Sequence, residues 1–206
     1  MDKEGILIVV SGFSGAGKGT IMKELLEKYD NYALSVSATT RKPRPGEEEG
    51  KAYFFKSKEE FEKMIAKDEL IEYAKYVENY YGTPRMYVEE QLKAGKDVIL
   101  EIEIQGALKV KEKFPDTLLL FVTPPTAAEL KRRLAGRGTE TMDVIEYRLG
   151  RAKEEAQGIE HYDYLIINDR LDECVEEVHR IIQGEHRRVS RNQRMIENIK
   201  RDLKGE

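Results

Sequence analysis

The sequence predicts an α/β protein: a mostly parallel sheet flanked by helices, with a small β-rich lobe inserted into it and a helical lid. Three observations carry that prediction. Short β-branched runs alternate with longer amphipathic stretches, and several of the runs are apolar throughout, as strands covered on both faces are. Residues 33–82 break this rhythm with tyrosines, charges and short alternating segments. The 206 residues suffice for one domain with inserted lobes. Their 35 basic and 39 acidic side chains, 36% charged and 40% hydrophobic residues exclude a disordered chain and a membrane-spanning one. The net charge of −4 argues against a general nucleic-acid binder. No segment has the length and flanking charge of a signal peptide. The single cysteine, Cys174, excludes an internal disulfide and fits a reducing compartment, and the three histidines lack metal-ligand spacing.

In chain order, residues 5–11 read as a buried strand, 12–19 as a glycine-rich turn, and 20–29 as a helix with Ile21, Leu25 and Leu26 on one face. Residues 52–56 and 70–77 alternate as strands of the lobe. Between them Ser57-x-x-Glu60 opens a short helix. Residues 98–104, 117–123 and 164–168 are further strands, and helices fall at about 106–113, 126–135 and 171–183. Thr126-x-x-Glu129 is a second capping box. The expected division is a core at about 1–32, 83–135 and 159–183, a lobe at 33–82, a lid at 136–158 and a polar C-terminal helix at 184–206.

The segment Gly12-Phe13-Ser14-Gly15-Ala16-Gly17-Lys18-Gly19-Thr20 leaves a buried strand and enters a helix. Its glycines let backbone N–H groups converge on phosphate oxygens, the helix N-terminus adds partial positive charge, and Lys18 supplies a mobile cation. The position of the Mg²⁺-binding hydroxyl in G-K-[S/T] is Gly19, and the hydroxyl comes one residue later, on Thr20. Either Thr20 contacts phosphate, or the metal is held by substrate oxygens, water and an acid elsewhere. A dinucleotide fingerprint starting at Gly15 fails at Thr20.

Downstream come Ser35-Val-Ser37-Ala-Thr39-Thr40-Arg41-Lys-Pro43-Arg44-Pro-Gly46-Glu47, Gly50-Lys-Ala-Tyr53, Glu72-Tyr, Tyr81-Gly82-Thr83, Glu101-Ile-Glu103-Ile-Gln105-Gly106, Arg133 to Arg137-Gly-Thr, and Asn168-Asp169. Together with the loop they cover roughly residues 8–169, and the set resembles guanylate kinases. Arg41 and Arg44, three apart beside prolines, can fork onto one phosphate. Glu72 presents two acceptors to the adjacent N1–H and N2–H₂ donors of guanine, with Ser37 and Thr83 as donors to O6 or N7. Taken alone, Glu72 reads as a solvated strand residue.

The resemblance implies a P-loop NTPase-like core and the reaction ATP + GMP → ADP + GDP, with dGMP a further acceptor. It implies a GMP site of Ser37, Arg41, Arg44, Tyr53, Glu72, Tyr81, Thr83, Glu101 and Glu103. It implies an ATP site of residues 12–20 with Arg133, Arg137 and Asn168, and catalytic roles for Lys18, Arg41, Arg137 and Arg148. Mg²⁺ enters with ATP, near Thr20 and Glu101, and no resident metal is assigned. Glu101 and Glu103 are each one methylene longer than the aspartates that the resemblance implies, which could shift a metal-bound water or the guanine contact. It further implies a cytoplasmic enzyme with no membrane or nucleic-acid partner, and it leaves oligomeric state open. An inactive interaction module is the alternative, which the intact loop and lid arginines disfavour. Arg151 reads as helix-surface charge.

Overall fold

The computed structural model describes residues 4–76, 78–136 and 142–205. At its centre is strand β1 (Leu7–Gly12), buried over Leu7–Ser11 because it has neighbours on both edges and helices on both faces. The parallel sheet around it also contains β2 (Tyr32–Leu34), β7 (Asp97–Glu101), β8 (Leu118–Thr123) and β9 (Tyr164–Ile167), in the order β2-β7-β1-β8-β9. Alternation sends Ile8 and Val10 to one face, where α1 (Lys18–Lys28) and α7 (Leu171–Glu185) pack through Ile21, Leu25, Val175 and Val178. It sends Leu7 and Val9 to the other, with Val88 of α3 (Arg85–Lys93) and Ala107 and Val110 of α4 (Ile104–Lys113).

A second sheet has the order β4-β3-β6-β5, from β3 (Ala38–Thr39), β4 (Phe54–Phe55), β5 (Leu70–Tyr76) and β6 (Asn79–Pro84). Helix α2 (Lys58–Ala66) covers it, with Phe61 fully buried and stacked on Tyr80 at 5.3 Å. The Ser57 box is complete: Ser57 Oγ accepts from the Glu60 N–H, and Glu60 accepts from the Ser57 N–H. Helices α5 (Ala127–Ala135) and α6 (Met142–Ala156) pack together through Leu130, Leu134, Ile145 and Ala152. A 3₁₀ turn (Val189–Asn192) and α8 (Gln193–Lys204) end the chain, and α8 buries no side chain.

Several elements differ from expectation for local reasons. The strand expected over 98–104 ends at Glu101, and α4 starts at Ile104 with Glu103 as its N-cap residue. Residues 32–34, short and carrying little pattern of their own, form a strand of the parallel sheet against Asp97–Ile99. Helix α3 was not expected, because Val88 is its only buried side chain. The Thr126 box is half formed: Thr126 accepts from the Glu129 N–H, while the Glu129 carboxylate turns to Arg132 and Arg133.

Candidate active site

The glycine-rich segment turns sharply between β1 and α1. Gly17 caps α1 at φ 94°, a conformation L side chains rarely adopt, and a Cβ there would meet Asn168 Nδ2 at 2.5 Å. Lys18 Nζ folds back to donate to the carbonyls of Gly12 (2.8 Å) and Phe13 (3.3 Å). The Phe13 ring meets Phe121 edge-on at 5.1 Å and packs against the α5–α6 cluster, tying the loop to sheet and lid.

Asn168 and Arg133 hold this loop from the side. Buried Asn168 donates from Nδ2 to the Ala16 carbonyl (2.8 Å). Arg133 donates to the Asn168 carbonyl (2.8 Å) and to Glu129 (2.7 Å), and more weakly to Ala16 O (3.5 Å). Glu129 binds Arg132 as well, and the two guanidiniums, Arg132 first, hold its carboxyl down at about 2. The arginine expected in the lid thus braces the loop in this structure. Arg137 lies outside the described residues. Arg148 is half-buried on α6.

Glu72 stands on β5 and is 6% exposed. Thr83 Oγ1 on β6 donates to Glu72 Oε1 at 2.8 Å and so orients the carboxylate. The other oxygen, Oε2, lies 3.3 Å from where a Cβ on Gly106 would stand, against the first turns of α4. Burial raises the Glu72 carboxyl above its usual range, opposed by the Thr83 bond. Arg41 forms a fork with both oxygens of Glu47 (2.9 Å each), and its guanidinium lies 5.2 Å from the centre of the Tyr53 ring. Tyr53 and Tyr81 meet edge-on at 6.1 Å. Ser37 is half-buried just before β3, and Arg44 is exposed on the loop after it.

Glu101 and Glu103 connect the two halves. Glu101 Oε2 lies 4.0 Å from a Cβ position on Gly19, beside the site of the absent loop hydroxyl. Desolvation raises its carboxyl, and Lys18 opposes that rise. Glu103 turns toward α6: its Oε2 is 3.6 Å from Arg151 of that helix. Glu155, one helical turn further along α6, is raised by burial first and by the Glu103 charge second.

Comparison with known proteins turns this geometry into an assignment. The guanylate kinase family model matches residues 4–185. The chain belongs to the guanylate kinase family. It is 53% identical over 191 residues to the guanylate kinase of Lactococcus lactis subsp. lactis, covering 93% of each chain. It is 52% identical over 198 residues to that of Halalkalibacterium halodurans, covering 96% of each. The crystal structure of guanylate kinase from Anaplasma phagocytophilum superposes with a TM-score of 0.75 at 33% identity, covering 95% of this chain and 94% of that one. As a guanylate kinase family member the chain is a phosphotransferase.

Three ion-pair partners around these residues went unread in the sequence. Glu47 was quoted within a motif without its Arg41 partner. Glu129 stands four before Arg133 on one helix, a spacing that signals pairing. Arg151, read as surface charge, has a local partner in Glu154 three residues on, but its second partner, Glu103, lies 48 positions away at the start of α4 and carries no local signal.

Proposed function

We propose that the phosphate loop holds ATP and that the second sheet holds GMP, with their phosphates meeting between Lys18 and Arg41. The reaction is ATP + GMP → ADP + GDP, that of the family to which the chain belongs. The observation that carries the site assignment is Glu72: a buried carboxylate with one side-chain hydrogen bond, set against α4. A buried acceptor of this kind calls for donors, and guanine brings N1–H and N2–H₂ in adjacent positions. Adenine lacks the N1 donor and the N2 amine, and would leave the carboxylate unpaired.

The chemistry needs no protein base. The nucleophile is a GMP phosphate oxygen, largely deprotonated at neutral pH because its second pKa is about 6. Lys18 and the loop N–H groups hold the phosphates of ATP, and Arg148 and Arg137 neutralise the phosphoryl group in flight. Arg41, Arg44, Tyr53 and Tyr81 hold the acceptor phosphate in line. Arg41 leaves its fork with Glu47 for the phosphate, a second partner of the same geometry. Asn168 and Arg133 act on ATP through the loop that they brace.

Magnesium fits this site. Glu101 offers a hard oxygen beside Gly19, with Thr20 exposed on the next residue. Bound with ATP, the ion would neutralise phosphate charge. Among the described residues no cluster of three or more His, Cys, Asp or Glu is placed to hold a metal. No helix among the described residues is long and apolar enough to cross a membrane. The lone cysteine, Cys174, is free and buried, as suits a reducing compartment such as the cytoplasm.

The test is ADP formation from ATP and Mg²⁺ with GMP, dGMP, IMP or AMP as acceptor. GMP and dGMP are expected to be phosphorylated, and AMP to be rejected by something like 10⁴-fold. Comparable rates with GMP and AMP would remove Glu72 from base recognition.

A further inference from the structure

Guanine presents three donor hydrogens on one edge, N1–H and the two of N2–H₂. The two oxygens of Glu72 match N1–H and the nearer N2–H. The second N2–H then needs another acceptor, and Glu103, at the start of the helix against which Glu72 lies, is the carboxylate available to it. Glu103 is poorly fixed by its own surroundings. Its side chain is 65% exposed, makes no capping hydrogen bond to α4, and has three rotatable bonds to immobilise.

We infer that Arg151 is a positioning residue for guanine recognition: reaching across from α6, it holds Glu103 by one carboxylate oxygen and leaves the other for the base. The inference rests on the GMP site proposed above, in which Glu72 reads guanine, and adds Glu103 as the acceptor of the second N2–H. Arg151 NH2 lies 3.6 Å from Glu103 Oε2, while NH1 is 3.5 Å from Glu154 one turn along its own helix. Glu103, Arg151, Glu154 and Glu155 share the lining of one 280 Å³ pocket between α4 and α6. Arg151 is the cation among those three carboxylates. Without it, Glu154 and Glu155 would repel Glu103 away from α6. Glu155 already registers the Glu103 charge, which raises its carboxyl further after burial has done so. The two helices pack closely here, since a Cβ on Gly158, just beyond α6, would come within 2.9 Å of the Ile104 side chain in the first turn of α4. Any shift of the lid helix therefore moves the group that orients Glu103.

The test compares kcat and KM for GMP and IMP in wild type, Arg151→Gln, Arg151→Lys, Glu103→Gln and the Arg151→Gln/Glu103→Gln double variant. IMP lacks the 2-amino group and so does not use Glu103. Arg151→Gln is expected to raise KM for GMP about three- to fivefold, the range of a partly exposed ion pair, with kcat and KM for ATP and IMP unchanged. Arg151→Lys should recover part of that loss. In the Glu103→Gln background, Arg151→Gln should add nothing. Equal rises for GMP and IMP, or the same rise without Glu103, would mean a merely structural arginine and overturn the inference. If Glu103→Gln leaves the GMP/IMP preference intact, Glu103 does not read guanine, and the inference falls with that reading. If Glu103→Gln lowers the preference and Arg151→Gln does not, only the inference falls.

Discussion

Glu72 is placed where a carboxylate is least comfortable. It is 6% exposed, burial favours its neutral form, and one hydroxyl supports the charge. A ligand carrying two N–H donors supplies the missing hydrogen bonds, so selectivity is stored in the unliganded site as an unmet need. Glu72→Gln tests this with little change in volume. The amide turns one acceptor into a donor that faces the donors of guanine. Each hydrogen bond to a charged group contributes about 1.5–3 kcal/mol. Loss of one is expected to lower kcat/KM for GMP by roughly ten- to hundredfold, with the rate on AMP unchanged or improved. Equal losses on both nucleotides would assign Glu72 to folding rather than recognition.

At the scale of elements, legibility followed locality. The β1–loop–α1 unit was readable because all its information lies within residues 5–29: an apolar run, glycines, then a helical stripe. The Ser57 box was readable for the same reason. Strand β2 and helix α3 were not, because each is defined by what it packs against: β2 by the edge of β7, and α3 by the single buried Val88. In the site, the charged motifs were legible, but their resting partners were not, since Glu47 occupies Arg41, and Asn168 and Ala16 engage Arg133. Helix α5 is therefore the loop's brace, and Glu129 sets where its arginine points. Arg132 and then Arg133 hold the Glu129 carboxyl at about 2, below the 4.5 of an unpaired glutamate. The pair's contribution is thus complete above pH 4.5 and fades only as pH falls toward 2. Glu129→Gln should release Arg133 at every working pH and raise KM for ATP by a few-fold while leaving KM for GMP alone. Steady-state kinetics with each substrate varied in turn would show it, and a change confined to GMP would refute the bracing role.

At the scale of the molecule, Cys174 reports whether the nucleotide site and the core open together. It is 2% exposed in the cluster where α1 and α7 meet the sheet, and burial lifts its thiol to about 11. Near pH 8 the native thiol is both covered and protonated, so a thiol reagent reaches it only when α7 leaves the sheet. The unfolded thiol ionises near 9 and the folded one not until about 11, so this residue's stabilising contribution is full below pH 9 and is lost as pH rises to about 11. The same cluster contains Val10 of the strand that feeds the phosphate loop and Ile21 of the helix that leaves it. Opening at Cys174 should therefore dismantle the ATP site. A ligand at 100 times its dissociation constant stabilises the closed form by about 2.7 kcal/mol, equivalent to a hundredfold shift. A non-hydrolysable ATP analogue at that excess is expected to slow labelling of Cys174 about a hundredfold, provided reclosing outpaces the reagent. The second sheet has its own small core around Phe61 and Leu70, distinct from the Cys174 cluster. A labelling rate indifferent to the analogue would mean that α7 peels away while the loop stays formed, and that the parallel sheet does not open as one unit.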